Sequence, residues 1–328
     1  MITVLKPGLL TTVQDAGRPG HRASGLPVAG AMDWLACALA NLLAGNPPDA
    51  AVLEMTLLGG TFRFERAGQA AVCGADMQGT LRGEPVASGT SFPVKAGDEL
   101  AFRGARSGCR AYLAVLGGID VPVVLGSRST YFRAAVGGFQ GRALRAGDVL
   151  PVGNSPGGPS EPRALPPDLL PSYGSTASLR VLLGPQDDHF TAAGIATFLG
   201  STYRVTNQND RMGYLLDGPT IERNRGPDIV SDALCPGAVQ VPGSGRPLVM
   251  MADAQTVGGY TKIATVIGPD LGRLAQAKLG DSVKFGACTD AEAVEAVRAE
   301  RLLLEEVATW LGRKKSPSDR RRGRGARR

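Results

Sequence analysis

The chain has 328 residues, 43% hydrophobic and 20% charged, with 45 glycines, 23 prolines and a net charge of +6. That length asks for two domains or one large one, and abundant Gly and Pro beside modest charge argue against a helical bundle and for many short strands and turns. No apolar run approaches the roughly 20 residues of a membrane span. Five scattered cysteines without a CxxC pair and only two histidines speak against a disulfide framework or a metal centre.

The N-terminal MITVLKPGLLTTVQD lacks a basic region followed by an apolar segment and a cleavage site, so secretion is not indicated. Cys37, Cys73, Cys109, Cys235 and Cys288 read as buried thiols in a reducing, cytoplasmic setting. Most of the positive excess sits in residues 313–328, RKKSPSDRRRGRGARR, whose composition predicts a disordered basic tail able to touch polyanions weakly. Elsewhere no aromatics interleave with basic residues, so no specific nucleic-acid site is expected.

In chain order, residues 2–5 read as a first strand, and TTVQD leads into a Gly/Pro-rich loop carrying Gln14, Asp15 and Arg18. Arg offers a planar fork, so this group could seat a carboxylate or amide; alternatively Asp15 and Arg18 pair locally. Residues 32–44 predict a helix capped near Asp33, stopped by Gly45, and apolar nearly all round, hence buried against a sheet. Residues 52–152 are strand and turn, with strands at 61–64, 70–73 and 111–115. Ala-Gly-Asp turns at Asp98 and Asp148, and a related Leu-Gly-Asp at Asp281, each feed a closing strand, which makes those aspartates turn residues. Arg128 and Arg142 flank glycine-lined backbone suited to an anion, while no GxxxxGK[ST] loop is present.

Prolines and glycines over 154–178 predict a linker. A strand restarts at 179–183 and a short helix follows at 192–199. In the loop NQNDRMG at 207–213, Arg211 is expected either to bind an anion or to pair with Asp210. Residues 239–241 and 248–251 predict a hairpin across Pro242-Gly243-Ser244-Gly245. Immediately after it come Asp253, Gln255, Thr256, Gly258, Gly259, Tyr260 and Lys262. A buried strand delivering such side chains beside a glycine pair reads as a ligand surface, with Asp253 as base or orienting group and Lys262 as charge partner, unless the two simply pair with each other. Thr289 and Glu292 have capping-box spacing for a helix to about 311, with Ala293, Val297, Leu304, Ala308 and Leu311 on its docking face.

The segment QVP-x-x-G-x-P…MAD-x-QT-x-GGY, with QDAGR at 14–18, GAMD at 30–33, SRSTY at 127–131, GGFQGR at 137–142, GPQDDHF at 184–190, DRMGY at 210–214 and LAQ at 274–276, resembles the allophanate hydrolase subunit 2-like, biotin-dependent carboxyltransferase family. That family includes the C subunit of bacterial 5-oxoprolinase, the antagonist of the sporulation-kinase inhibitor, and the carboxyltransferase part of urea carboxylase. The resemblance implies a mainly β chain with a few helices, built as two tandem cyclophilin-like β-barrel domains plus a C-terminal helix. With the composition shifts it sets bounds of 1–153 and 179–288 for the domains, 154–178 for the linker, 289–312 for the helix and 313–328 for the tail.

For function the resemblance implies one component of an ATP-dependent 5-oxoprolinase opening the lactam of 5-oxo-L-proline to L-glutamate. ATP, with Mg, would be bound by the assembled complex, and the partners would be the cyclophilin-like B subunit and the lamB/YcsF-like A subunit of 5-oxoprolinase. A carboxyltransferase of the urea carboxylase type and a regulatory binding protein are the alternatives, although the chain carries no biotin-carrier motif. Asn207 and Asn209 stand where relatives carry serines, which puts hydroxyl contacts at that loop in doubt.

Overall fold

The computed structural model describes residues 1–155 and 161–312; the tail expected to be disordered lies outside the described residues. The first unit divides its strands between two six-stranded sheets. One runs Val149–Leu150, Ile2–Lys6, Thr61–Phe64, Glu99–Ala101, Gly79–Leu81, Glu84–Val86; the other runs Arg163–Ala164, Thr90–Val94, Gly68–Asp76, Ser107–Val115, Val52–Thr56, Leu10–Gln14.

The period-two alternation of strand side chains decides what each face meets. Along Ser107–Val115, Ala111, Leu113 and Val115 join Ile2, Val4, Phe62 and Leu100 in the core between the sheets. Tyr112 and Ala114 point the other way, into a second core against a helix, α1 (Trp34–Ala44). Val52 lies on that same outer face while Leu53 and Met55 face the inter-sheet core. The alternation therefore turns Glu54 outward, toward the start of α1.

Helix α1 forms where the sequence places it: the Asp33 side chain accepts from Ala36 N–H, and Gly45 closes it at φ 89. A left-handed residue suits Gly at that cap. Among the described residues the other α-helices are α2 (Ala192–Gly200), α3 (Gly268–Ala275) and α4 (Asp290–Gly312). Thr289 and Glu292 form the capping box of α4. Its docking face is shifted from the one expected. Leu303, Leu304, Val307, Trp310 and Leu311 pack on α1, whereas Val297 is 55% exposed.

The second unit is a closed seven-stranded barrel, Thr176–Leu183, Lys262–Val266, Ala238–Gln240, Leu248–Met250, Gly213–Asp217, Thr202–Asn209, Ser282–Ala287. The predicted hairpin is present, Val239 opposite Val249. Asp228–Ala233 pairs with Val257–Tyr260 as a separate ribbon outside the barrel. All three Gly-Asp turns behave alike: Asp98, Asp148 and Asp281 accept from the backbone N–H three residues earlier at 2.7, 2.7 and 2.8 Å. Within the proline-rich stretch residues 163–169 lie against the first unit, whereas Thr176–Leu183 is already a barrel strand. Arg163–Ala164 pairs with Thr90–Val94, and Leu165 and Leu169 are buried with α1, because prolines preset the extended backbone that an edge pairing needs. No helix is long and apolar enough to cross a membrane among the described residues.

Candidate functional site

Four of the short motifs, GAMD, DRMGY, MAD and LAQ, meet at the seam between the two units. Glu54, turned outward by its strand, accepts from the Tyr112 hydroxyl at 2.9 Å and from Met32 N–H at 2.8 Å. Its other oxygen takes Arg211 Nη1 at 2.6 Å. Arg211 reaches across from the second unit, holds Asp253 through Nε and Nη2 at 2.9 Å each, and donates to the Gly30 carbonyl at 2.6 Å. Burial opposes charge on Arg211, but Asp253 and Glu54 together hold its pKa above the ordinary arginine value. Both expectations for this residue are corrected: Arg211 neither pairs with Asp210 nor stands free for an anion. A short loop whose arginine faces a buried acid on the other unit becomes an interdomain brace instead.

Gln276, at the end of α3, saturates the same seam. Its carbonyl oxygen accepts from the N–H groups of Cys109 and Arg110 at 2.8 and 2.9 Å, and its amide donates to Asp33 and the Arg110 carbonyl at 2.8 and 2.9 Å. Arg110 donates in turn to the Tyr214 hydroxyl at 2.7 Å and to the Ala275 carbonyl. Burial pushes the Asp33 carboxyl up, against the bonds it receives from Gln276 and Tyr173. Asp33 is thus the cap it was expected to be, and a seam residue as well. Glu54, Arg110 and the α3 helix were not singled out from sequence. Their signals were a lone acid inside the strand VLEMT, an Arg in an otherwise apolar strand, and Pro269 in the first turn of α3.

The QDAGR loop packs beneath the SRSTY motif. Asp15 accepts from the hydroxyls of Ser127 and Ser129 and from the N–H groups of Gly17 and Arg128. No Asp15–Arg18 ion pair forms among the described residues, because those donors already occupy Asp15. Arg18 is fully buried, and among the described residues its guanidinium donates only to the Ser129 carbonyl. Gln14 donates to Thr12 and to the Thr130 carbonyl, and its own Oε1 has no partner among the described residues. The Arg128 side chain goes elsewhere, to the Val121 carbonyl at 2.9 Å and Asp120 at 2.8 Å. Arg142 is clamped by Asp148 at 2.7 and 2.9 Å rather than offered to an anion.

Asp253 and Lys262 are not brought together. Asp253 belongs to Arg211; Lys262, equally buried, donates to Asp232 at 2.6 Å and to the Ala233 carbonyl at 3.3 Å, while its N–H meets the Gln186 side chain. The alternative of a mutual pair fails because Lys262 begins a barrel strand and looks out to the ribbon, whereas Asp253 follows a different strand into the seam. Thr256 and Gly258 hold the ribbon: Leu234 N–H donates to the Thr256 carbonyl, and a Cβ at Gly258 would lie 2.6 Å from Leu234 Cδ1. Gly259 has no such neighbour within 3.4 Å, and Tyr260 is half-exposed on the ribbon.

Of these residues only Gln255 lines the large cleft at the mouth of the barrel, about 710 Å³, with Asn207, Gln208, Asn209, Asp210 and Ser244 of the second unit and Arg133 of the first. Arg133 approaches Asp210 to 3.9 Å across it. The cleft offers amide donors and acceptors, one hydroxyl, one cation and one carboxylate beside apolar Leu215, Leu248 and Met250, a set that suits a small polar amide.

The model of the carboxyltransferase domain, subdomain A and B, matches residues 24–287. Over 311 residues the chain is 41% identical to the C subunit of 5-oxoprolinase from Escherichia coli (strain K12), covering 95% of this chain and 99% of that one. The C subunit of the Haemophilus influenzae 5-oxoprolinase is 37% identical, over 94% of this chain and 97% of its own. The Kluyveromyces lactis urea carboxylase superposes with a TM-score of 0.89 at 31% identity, over 97% of this chain but only 30% of that protein. The chain therefore belongs to the family of the carboxyltransferase domain, subdomains A and B.

Proposed function

We propose that the chain is the C subunit of an ATP-dependent 5-oxoprolinase and takes part in opening the lactam of 5-oxo-L-proline to L-glutamate. Coverage carries the reading: the match runs over 99% of the Escherichia coli protein, against 30% of the urea carboxylase. The interdomain cleft supports it. Opening an unactivated lactam requires donors aimed at the carbonyl oxygen as charge develops there, and Arg133 with the Asn and Gln amides supplies them.

No recognised Mg-ATP motif stands among the described residues. No group of three or more His, Cys, Asp or Glu among the described residues could hold a metal, and no phosphate loop of the GxxxxGK[ST] type is present. The nucleotide belongs to the assembled complex, whose other members we take to be the cyclophilin-like and the lamB/YcsF-like proteins. Asp253 works through Arg211: together they fix the turn that delivers Gln255 to the cleft. Lys262 works through Asp232 and Gln186, tying the ribbon to the barrel.

The test is ATP-dependent glutamate release by the reconstituted complex of all three proteins carrying this chain, with Asp253→Asn and Lys262→Met beside it. The proposal requires turnover by the parent and its loss in each variant, with melting curves showing both folded. If both variants assemble and turn over within a few-fold of the parent, these residues are scaffold only. The likeness to urea carboxylase favours one second reading, carboxyl transfer to an amide; ATP-independent exchange of carboxyl groups with free carboxybiotin by the chain would support it.

A further inference from the structure

Arg18 is 1% exposed, and its guanidinium has one hydrogen bond, to the neutral Ser129 carbonyl. Nε and Nη1 have no partner among the described residues. Arginine keeps its charge at any working pH, so this is a buried cation with donors to spare. The two carboxylates whose fields reach it are Asp15 and Asp253. Both are committed, Asp15 to two hydroxyls and two N–H groups, Asp253 to Arg211. The contrast with Arg211 is direct: there two acids outweigh burial and raise the pKa, whereas at Arg18 burial dominates and lowers it.

What covers Arg18 is a loop that borders the cleft. A Cβ at Gly137 would lie 2.6 Å from Arg18 Nη2 and 2.2 Å from the Ser129 carbonyl oxygen, so the backbone passes directly over the guanidinium. Ala135, Gly137, Gly138, Gln140 and Gly141 all take positive φ, a chain folded tightly back on itself. Phe132 at its tip is exposed, and Arg133 beside it lines the cleft and reaches Asp210 only at 3.9 Å, through groups 60% and 59% exposed. Exposed contacts of that kind hold weakly, so the tip restrains the loop little, and what Arg18 needs in order to open is that Gly137 and Gly138 leave Ser129 and Thr130.

We propose that Arg18 is the anion anchor of this site: when the 131–141 loop lifts, its free donors take the carboxylate of a small cyclic amino acid and leave the lactam ring in the cleft. This rests on the lactam-opening reading above. A carboxylate is the ligand chemistry that satisfies a buried guanidinium with two donors unspent, and Arg forks match carboxylates geometrically. The lactam is held by its acid group at one end and polarised at the other.

The test uses the reconstituted complex with 5-oxo-L-proline and, beside it, 2-pyrrolidinone, the same ring without the carboxylate. Arg18→Met is expected to raise KM for 5-oxo-L-proline roughly ten- to a hundred-fold, the scale of a lost charge-assisted hydrogen bond, with a much smaller effect on kcat. Turnover of 2-pyrrolidinone is expected to stay unchanged, and Arg18→Lys to recover part of the loss. A KM within three-fold of the parent in folded Arg18→Met overturns the proposal, leaving Arg18 a structural residue. If Arg18→Met does not fold, the KM of Arg18→Lys decides on the same criterion. If the parent complex shows no 5-oxo-L-proline turnover, the functional reading fails by itself. The anchor is then judged by the melting shift of the full chain with 5-oxo-L-proline and with acetate: a shift lost in the variant supports it, and equal or absent shifts in both overturn it.

Discussion

Replacing Arg211 with Met removes the one cation that Glu54 and Asp253 share while keeping a side chain of similar length. Glu54 and Asp253 have side chains 1% and 5% exposed, so neither can recover its solvation where it stands. Breaking a buried pair from one side costs about 3–5 kcal/mol, because an uncompensated charge stays behind. For a unit of this size each kcal/mol moves the melting temperature by roughly 2–4 °C, which predicts a fall of about 6–20 °C. The pH dependence should steepen as well. Burial already raises the Asp253 carboxyl against the pull of Arg211, and with Arg211 gone that opposition is lost, so its folded-state pKa moves further above the unfolded value near 3.9 and protons favour the folded variant more strongly. Stability of the variant therefore rises more steeply than the parent's as pH falls from neutral toward about 4. Adding Glu54→Gln and Asp253→Asn to Arg211→Met should return much of the loss at pH 7. Calorimetric melts of the three proteins between pH 5 and 8 provide the check. A loss under about 1 kcal/mol, or pH profiles parallel to the parent's, would refute the brace.

Hydrogen bonding from Arg142 holds the Asp148 carboxyl below its usual value. Its contribution is thus present above the unfolded pKa near 3.9 and lost as pH falls through the folded one, so Arg142→Met should flatten the decline in melting temperature below about pH 4. Gly258→Ala should cost roughly 1–3 kcal/mol in a urea melt, since its Cβ would meet Leu234 Cδ1 at 2.6 Å and Gln240 Nε2 at 2.7 Å. Gly259→Ala, whose nearest atom lies at 3.5 Å, should stay within about 0.5 kcal/mol of the parent, and equal losses at the two sites would show that packing is not the reason for the pair. The chain by itself should not hydrolyse 5-oxo-L-proline, and ATP-dependent glutamate release by the purified chain alone would contradict the division of labour proposed here.

Local rules carried a good part of this fold. The cap at Asp33, the hairpin from Ala238–Gln240 to Leu248–Met250 and the three Gly-Asp turns each depend on residues within a few positions of one another, and each stands where the sequence put it. Partner choice did not follow the same way. Arg211 passes over its neighbour Asp210 for Glu54, 157 positions away, and Lys262 finds Asp232 on a ribbon no pattern announced. Short motifs told which residues are special; only the packing of the two units told which special residues touch. Helix α4 shows the same limit: its helical period was legible, but which stripe docks depends on the surface of α1.

The most direct measurement is a crystal structure of the reconstituted complex soaked with 5-oxo-L-proline. The lactam is predicted in the cleft between the units, its ring among Asn209, Asp210 and Gln255 and its carboxylate on Arg18, with the 131–141 loop displaced. A lactam bound on another protein of the complex, with this cleft and the Arg18 pocket unchanged, would contradict the account.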